Sequence, residues 1–467
     1  MKNQFSTLAI VIFIFFFSCT HEQKENTKST HLEPTIYYGG DLLTMQGDQP
    51  KYVEAVVTQS GKIIFVGTKK QAIEKYGKQM TKVNLKGKTM LPSFLDPHGH
   101  FAFAIQMIDM ANVSIPPVGE VTQISEVISQ LQKFKKNKKI KDGEWIVAWG
   151  YDQDGLKEKR HMTKKDLDIY FPNNPVLLIH VSGHGAVLNS NALAWAKIDA
   201  ATPTPEGGVI ARLPSSNEPA GLLMETAWIP VFKALPKPTE AHRLNILKQA
   251  QMKYAKNGYT RAIDGFAFMS DIDFLKKASE QKKLFIDIAA LVAFPEVQKW
   301  LGNPKYSFSK TYQNNFRIAA MKITQDGSPQ GKTAYSSSEY LTGGPAGQTH
   351  WHGEPTLPKS KFDFLVKTAI DNNLPLQVHV NADAAVGMLI DAVRDAGVRA
   401  EDDKRVVAIH SNIMTISQLD DYVELGIHPS FFTNHAFFWG DVHVQNFGKQ
   451  KAFGLSPFKS AKEKGLK

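Results

Sequence analysis

The sequence predicts an α/β fold: a barrel of parallel strands and helices, preceded by a small β domain. Three observations carry this. From residue 90 onward, short apolar strands alternate with amphipathic helical stretches. Several of those strands end in a chemically active side chain, the face on which parallel barrels gather function. Residues 35–89, by contrast, read as short strands separated by Gly-containing turns.

The elements follow in chain order. Residues 1–18 read as a signal peptide, with Lys2 before an apolar run from Leu8 to Phe17. That run is shorter than the ~20 residues a spanning helix needs. Ser18 directly before Cys19, the chain's only cysteine, resembles a bacterial lipoprotein cleavage site. Cys19 is therefore the expected lipidation point, and the bacterial cell envelope the expected location, with the membrane as a partner through the lipid. A single cysteine excludes an intrachain disulfide and a multi-Cys metal site. Residues 19–34 are polar and read as a tether. The excess of 55 Lys+Arg over 45 Asp+Glu is spread over 467 residues, so it does not point to nucleic acid.

The small domain, taken as part of a β-sandwich, occupies 35–89. Seven barrel strands are predicted at 90–95, 260–264, 285–292, 318–324, 376–380, 406–410 and 427–433, with helices between them such as 361–372 and 384–396. A long insertion, about 111–258, follows the first strand. It contains WIVAWGYD and VLLIHVSGHGAVLNSNALA, and Trp149 and Tyr151 in it read as core. Its basic run at 133–141 reads as a solvated helix end.

The chemistry starts at Leu91-Pro-Ser-Phe-Leu-Asp-Pro-His-Gly-His100. Two imidazoles two residues apart at a strand end can grip one metal ion. His379 in LPLQVHVNAD and His410 in VVAIH end two further strands. Lys322 in IAAMKITQDG lies inside an apolar strand, where alternation predicts that it points alongside Ala320 and Ile318. A buried lysine tends to lose its charge. The neutral amine can then take up carbon dioxide as a carbamate, an anionic oxygen ligand able to bridge two metal ions.

These segments resemble the amidohydrolase superfamily, in its amidohydrolase-3 branch of YtcJ-like and N-substituted formamide deformylase-like proteins. The resemblance runs from about residue 35 to the end, through LPSFLDPHGH, SGHGAVLNSNAL, GGVI…EPAGLLME, MKITQDGSPQGKTA, VHVNADAAV and HAFFWGD. It implies a metal-dependent hydrolase with a TIM-type (β/α)8 barrel, a β-sandwich built from both chain ends, and hydrolysis of a non-peptide C–N bond in a small amide-type substrate. It also implies two Zn²⁺ ions. His98 and His100 would hold the more buried ion, carbamylated Lys322 would bridge, and His379 and His410 would hold the second. His184 is expected to contact substrate or oxyanion, and His435 to do the same. Asp326 and Asp383 are expected to orient ligands or loops.

The resemblance also carries a departure. An Asp normally ends strand eight, and here the sequence stops at Lys467 before such a strand; Asp441 is no substitute. The expectation is a fragment of a longer product, because the upstream motifs are intact. Two other readings predict different behaviour. A non-catalytic lipoprotein would keep the fold for binding, and an ester or phosphoester hydrolase would use the same metals.

Overall fold

The computed structural model describes residues 33–77 and 79–466. The leader, Cys19 and all but the last two residues of the tether lie outside the described residues. The described chain forms two compact units that part at Pro92.

The first unit is a five-stranded sheet: β1 (Thr35–Leu43), β2 (Tyr52–Gln59), β3 (Lys62–Gly67), β4 (Thr81–Asn84) and β5 (Thr89–Met90). Its second layer is the helix Lys69–Tyr76, where a sandwich would have a second sheet. That helix starts at a Thr68–Gln71 capping box, and its Ala72 joins Ile36, Ala55 and Val57 in a small core. The expected strand at 90–95 is thus divided. Met90 pairs with Leu42 of β1, and only β6 (Phe94–Leu95) enters the barrel. Pro92, between them, has no N–H to continue a ladder.

In the second unit β7 (Ala111–Asn112), β8 (Ile146–Tyr151), β9 (Val176–His180), β10 (Gly185–Leu188), β11 (Gly208–Arg212) and β12 (Pro219–Glu225) form a six-stranded sheet in the order β11-β12-β10-β9-β8-β7. Strand β9 shows why it is covered on both faces. Val176 and Leu178 join one apolar cluster, while Leu177 and Ile179 join another. Tyr151 is fully buried in the first cluster, as the sequence predicts; Trp149 packs only partly and borders the cavities described below.

The barrel sheet adds β13 (Tyr259–Ala267), β14 (Asp287–Ala293), β15 (Phe316–Thr324), β16 (Leu376–Val380), β17 (Val406–His410) and β18 (Ile427–Phe431). Together with β6 these make seven parallel strands in the order β18-β17-β16-β15-β14-β13-β6. This is the predicted α/β fold as a partial barrel. The predicted helices occur at Lys359–Asp371 and Asp383–Asp395. The inserted sheet ends earlier than the predicted boundary at 258. Helix Glu240–Lys256 buries Ile246, Leu247 and Ala250 in the barrel's own core, so it belongs to the barrel.

Candidate metal centre and active site

Parallel strands bring their C-terminal ends to one face, and there the predicted residues meet. The rings of His98 and His100 lie 5.3 Å apart, those of His98 and His410 5.3 Å, and those of His379 and His410 4.5 Å. Lys322 is 2% exposed and borders the same cavity.

Two side chains reach this point by breaking strand alternation. Ile318 packs into the barrel core with Met321 and Ile323, so Lys322 does not share its side as predicted. The cause is a register shift between Ile318 and Ala320 against β14, which reverses parity before Lys322. At the end of β17, Val406 and Ala408 face the helical layer, and alternation would send His410 with them. Its backbone instead turns left-handed (φ 77° at His410, 44° at Ser411), and the ring joins the cluster.

Burial sets the protonation of the cluster. It pushes His98, His379 and His410 well below the usual imidazole range, helped by mutual repulsion and by Lys322, and His100 down to about 4. It pushes the Lys322 amine down to about 7. All five are thereby biased to the neutral, ligating form. Among the described residues no three His, Cys, Asp or Glu side chains form a ready-made metal-holding group. The set here is four imidazoles and a lysine. Two of its donors, His98 Nδ1 and Lys322 Nζ, are buried with no hydrogen-bond partner. Buried polar atoms seldom stay unpaired, and this donor set fits a divalent ion.

Neighbouring groups position these side chains. Asn381 Nδ2 stands 2.8 Å from His379 Nε2 and donates to Gly327 O, while Asn381 Oδ1 accepts from Asn412. Asp326, fully buried, accepts from the backbone N–H of Asn381 (2.8 Å), Ala382 (3.0 Å) and Tyr335 (3.1 Å), tying the end of β16 to the loop after β15. Asp383 accepts from Ser337 N and Oγ and pairs with Lys451 at 3.2 Å, so it braces loops. Gly265 backs His98. A Cβ there would lie 2.7 Å from His98 Cε1 and 2.8 Å from Gly99 O. Gly265→Ala is therefore expected to displace the ring and weaken metal affinity ~10–100-fold, the usual cost of disturbing ligand support; titration with a competing chelator measures it.

His184 comes from the inserted sheet. Its ring lies 4.7 Å from that of His379, and its Nδ1 is 2.9 Å from Glu225 Oε2. Burial disfavours its charge, but the Glu225 carboxylate lifts its pKa above the usual value on balance. Three contacts fix the loop: His180 Nδ1 to Ser182 Oγ (2.7 Å), His184 N to Ser182 Oγ (3.1 Å), and Trp228 Nε1 to Gly183 O (3.0 Å). His435, 4% exposed, contacts Phe432 and His443 and borders the side of the site nearer His410. Asp441 is exposed on helix Asn434–Phe453.

Glu225 is a side chain at this centre that sequence reasoning missed. It ends the apolar run AGLLME, the same strand-end signal that marks the histidines. Trp439 was missed as well; its indole N–H donates to Asp152 Oδ2 at 2.7 Å and ties helix Asn434–Phe453 to the inserted sheet.

The amidohydrolase family pattern Amidohydro_3 matches residues 81–467. The putative amidohydrolase YtcJ of Bacillus subtilis (strain 168) is 28% identical over 376 residues, which are 77% of this chain and 65% of that protein. The N-substituted formamide deformylase of Arthrobacter pascens is 26% identical over 440 residues, 89% of this chain and 76% of that protein. The chain thus spans less than two thirds of the first relative and about three quarters of the second. A solved structure of an uncharacterized metal-dependent hydrolase from Pyrococcus horikoshii shares the fold, with a TM-score of 0.67 and 22% identity over 92% of this chain and 81% of that one.

Proposed function

Since the chain belongs to the amidohydrolase family by its match over residues 81–467, we propose that it is a metal-dependent hydrolase of an amide-type C–N bond. One observation carries this reading: four neutral imidazoles and a buried, unpartnered lysine converge at the C-terminal ends of β6, β15, β16 and β17. His98, His100, His379, His410 and Lys322 would hold the metal. Zinc is the proposed ion, because imidazole nitrogen and carbamate oxygen both suit it. Bound there, such an ion supplies Lewis acidity to a carbonyl and acidifies water.

The chain's own groups complete the chemistry. In hydrolysis a C–O bond to water forms, the C–N bond breaks, and a proton must reach the departing nitrogen. His184, whose protonated form Glu225 favours and which faces His379, is the side chain we assign to hold that proton or to steady the carbonyl oxygen. His435 borders the cavity and is assigned a substrate contact. The name of the Arthrobacter relative supports an N-substituted amide as the substrate class.

Chelation is expected to lower amide hydrolysis by at least ~10³-fold, with Zn²⁺ restoring it, on the scale of lost electrostatic stabilisation. A purified protein that holds no metal, or hydrolyses equally well after dialysis against chelator, would sink the reading. For the leader we propose export and lipidation at Cys19. Mass spectrometry of the product from a bacterial host should show an acylated N-terminus that Cys19→Ala abolishes.

A further inference from the structure

Two chambers flank the histidine cluster. The first, about 270 Å³, is walled by Phe103, Trp228, Phe232, Phe266 and Phe268. These aromatics touch in two groups, Phe103 and Trp228 each against Phe232, and Phe266 against Phe268, at centroid distances of 5.4–5.8 Å. The second, about 240 Å³, is walled by Ile115, Val118, Phe432, Phe438 and Trp439. Trp149, His184 and His379 border both. Each chamber exceeds the ~150 Å³ apolar cavity that accepts a benzene ring.

The walls offer no free cation. Among the described residues the lining holds no arginine and no lysine other than Lys322, which belongs to the ligand set. It does hold carboxyl groups: Glu225 and Asp271, each paired with a base, and Asp264, pushed up to about 8 by burial, on the first chamber, and Asp152, also raised by burial, on the second. Three cations stand behind the first wall, and all are engaged. Lys233, over the Phe268 ring, pairs with Glu296 at 2.5 Å, Arg243 pairs with Asp271 at 3.1 Å, and Lys237 lies 3.8 Å from Asp271 and donates to Ser270 Oγ at 2.7 Å. A substrate carboxylate lodged against the aromatic walls would lose its water and find no free cation, because His184, the one basic side chain outside the ligand set that borders both chambers, is already engaged by Glu225 at 2.9 Å.

We infer that the substrate is an uncharged amide with an apolar group of aromatic size on each side of the carbonyl–nitrogen bond, and that the site rejects the same skeleton carrying a carboxylate. This rests on the hydrolase reading and deepens it. It departs from what the name of the Arthrobacter relative suggests, since a formyl group would leave one chamber unfilled.

Three matched compounds test it. They are N-phenylacetyl-2-phenylethylamine, N-phenylacetyl-phenylalanine, which differs only by a carboxylate, and N-formyl-2-phenylethylamine, which empties one side. Each is measured for turnover, and its analogue with CH2 in place of N–H, a ketone for the two-sided compounds and an aldehyde for the formyl one, which cannot be hydrolysed, for binding by calorimetry. The neutral two-sided compound is expected to exceed the carboxylate by at least ~100-fold, on the scale of an unpaired buried charge, and to exceed the formyl compound by ~10-fold or more, as lost apolar burial predicts. Phe268→Arg should narrow the gap to the carboxylate at least ~10-fold by supplying a counter-cation. Should that variant fail to fold, the wild-type comparison alone decides. Equal handling of the carboxylate, better handling of the formyl compound, or no ketone binding overturns the inference. If the neutral ketone binds selectively but no amide is turned over, the chambers stand and the hydrolase reading falls.

Discussion

Replacing Lys322 by Met is expected to abolish hydrolysis, by ~10³-fold or more, while raising the melting temperature of the metal-free protein. The first effect follows from removing the one donor able to become an oxygen ligand in a set otherwise made of imidazoles. The second follows from the same burial that makes the lysine useful. Its amine is 2% exposed, without a partner, and pushed down to about 7 from its ordinary 10.5. A buried polar group left unpaired costs about 1–3 kcal/mol, and Met fills the same volume without it. The pH dependence has a definite sign. Between pH 7 and about 10.4 the unfolded lysine is protonated and the folded one is not. The unfolded state then binds more protons, so stability rises with pH across that window. Below pH 7 the full penalty of a buried charge remains. Thermal melts of metal-free protein from pH 7 to 10 should climb for the wild type, and Lys322→Met should remove the lysine's share of that slope. A variant that keeps activity, or melts lower at pH 7, would remove Lys322 from the centre.

His184→Ala is expected to lower kcat by ~10²–10⁴-fold, the range for a lost acid–base group, with KM and metal content little changed. His184 comes from the inserted sheet, and its loop is held by Ser182 and Trp228, which the substitution leaves in place. Glu225→Gln should give a smaller loss of the same kind, because a carboxamide can still meet His184 Nδ1 but no longer favours its charge. Added imidazole should partly restore His184→Ala and leave Lys322→Met inactive. Loss of bound metal in His184→Ala would show instead that the ring supports the metal set.

The α/β class, the seven barrel strands and the four histidines were legible because each rests on a local signal, an apolar run with a marked end. What was not legible depends on pairing. The division of 90–95 required knowing that Met90 pairs with Leu42, more than forty residues earlier in the chain. The side taken by Lys322 required a register shift set by β14, which no pattern within 316–324 reveals. Alternation alone would have turned His410 away from the cluster, and only its left-handed backbone restores it. Glu225 escaped because an acid at the end of an apolar strand is a weaker chemical flag than a histidine. Yet its contact with His184, 41 residues away, places it at the same centre.

The inserted sheet has two apolar clusters of its own, separate from the barrel core that carries the histidine-bearing strands. Structural units with separate cores can open separately, each with its own free energy. Amide exchange should therefore find 146–225 and 316–410 protected to different depths. The same partition bears on descent. A lineage can rebuild the walls around Trp149 and Trp228, drawing on the stability of one cluster, while the histidine-bearing strands go undisturbed, so the cavity can drift far while the buried centre stays the same.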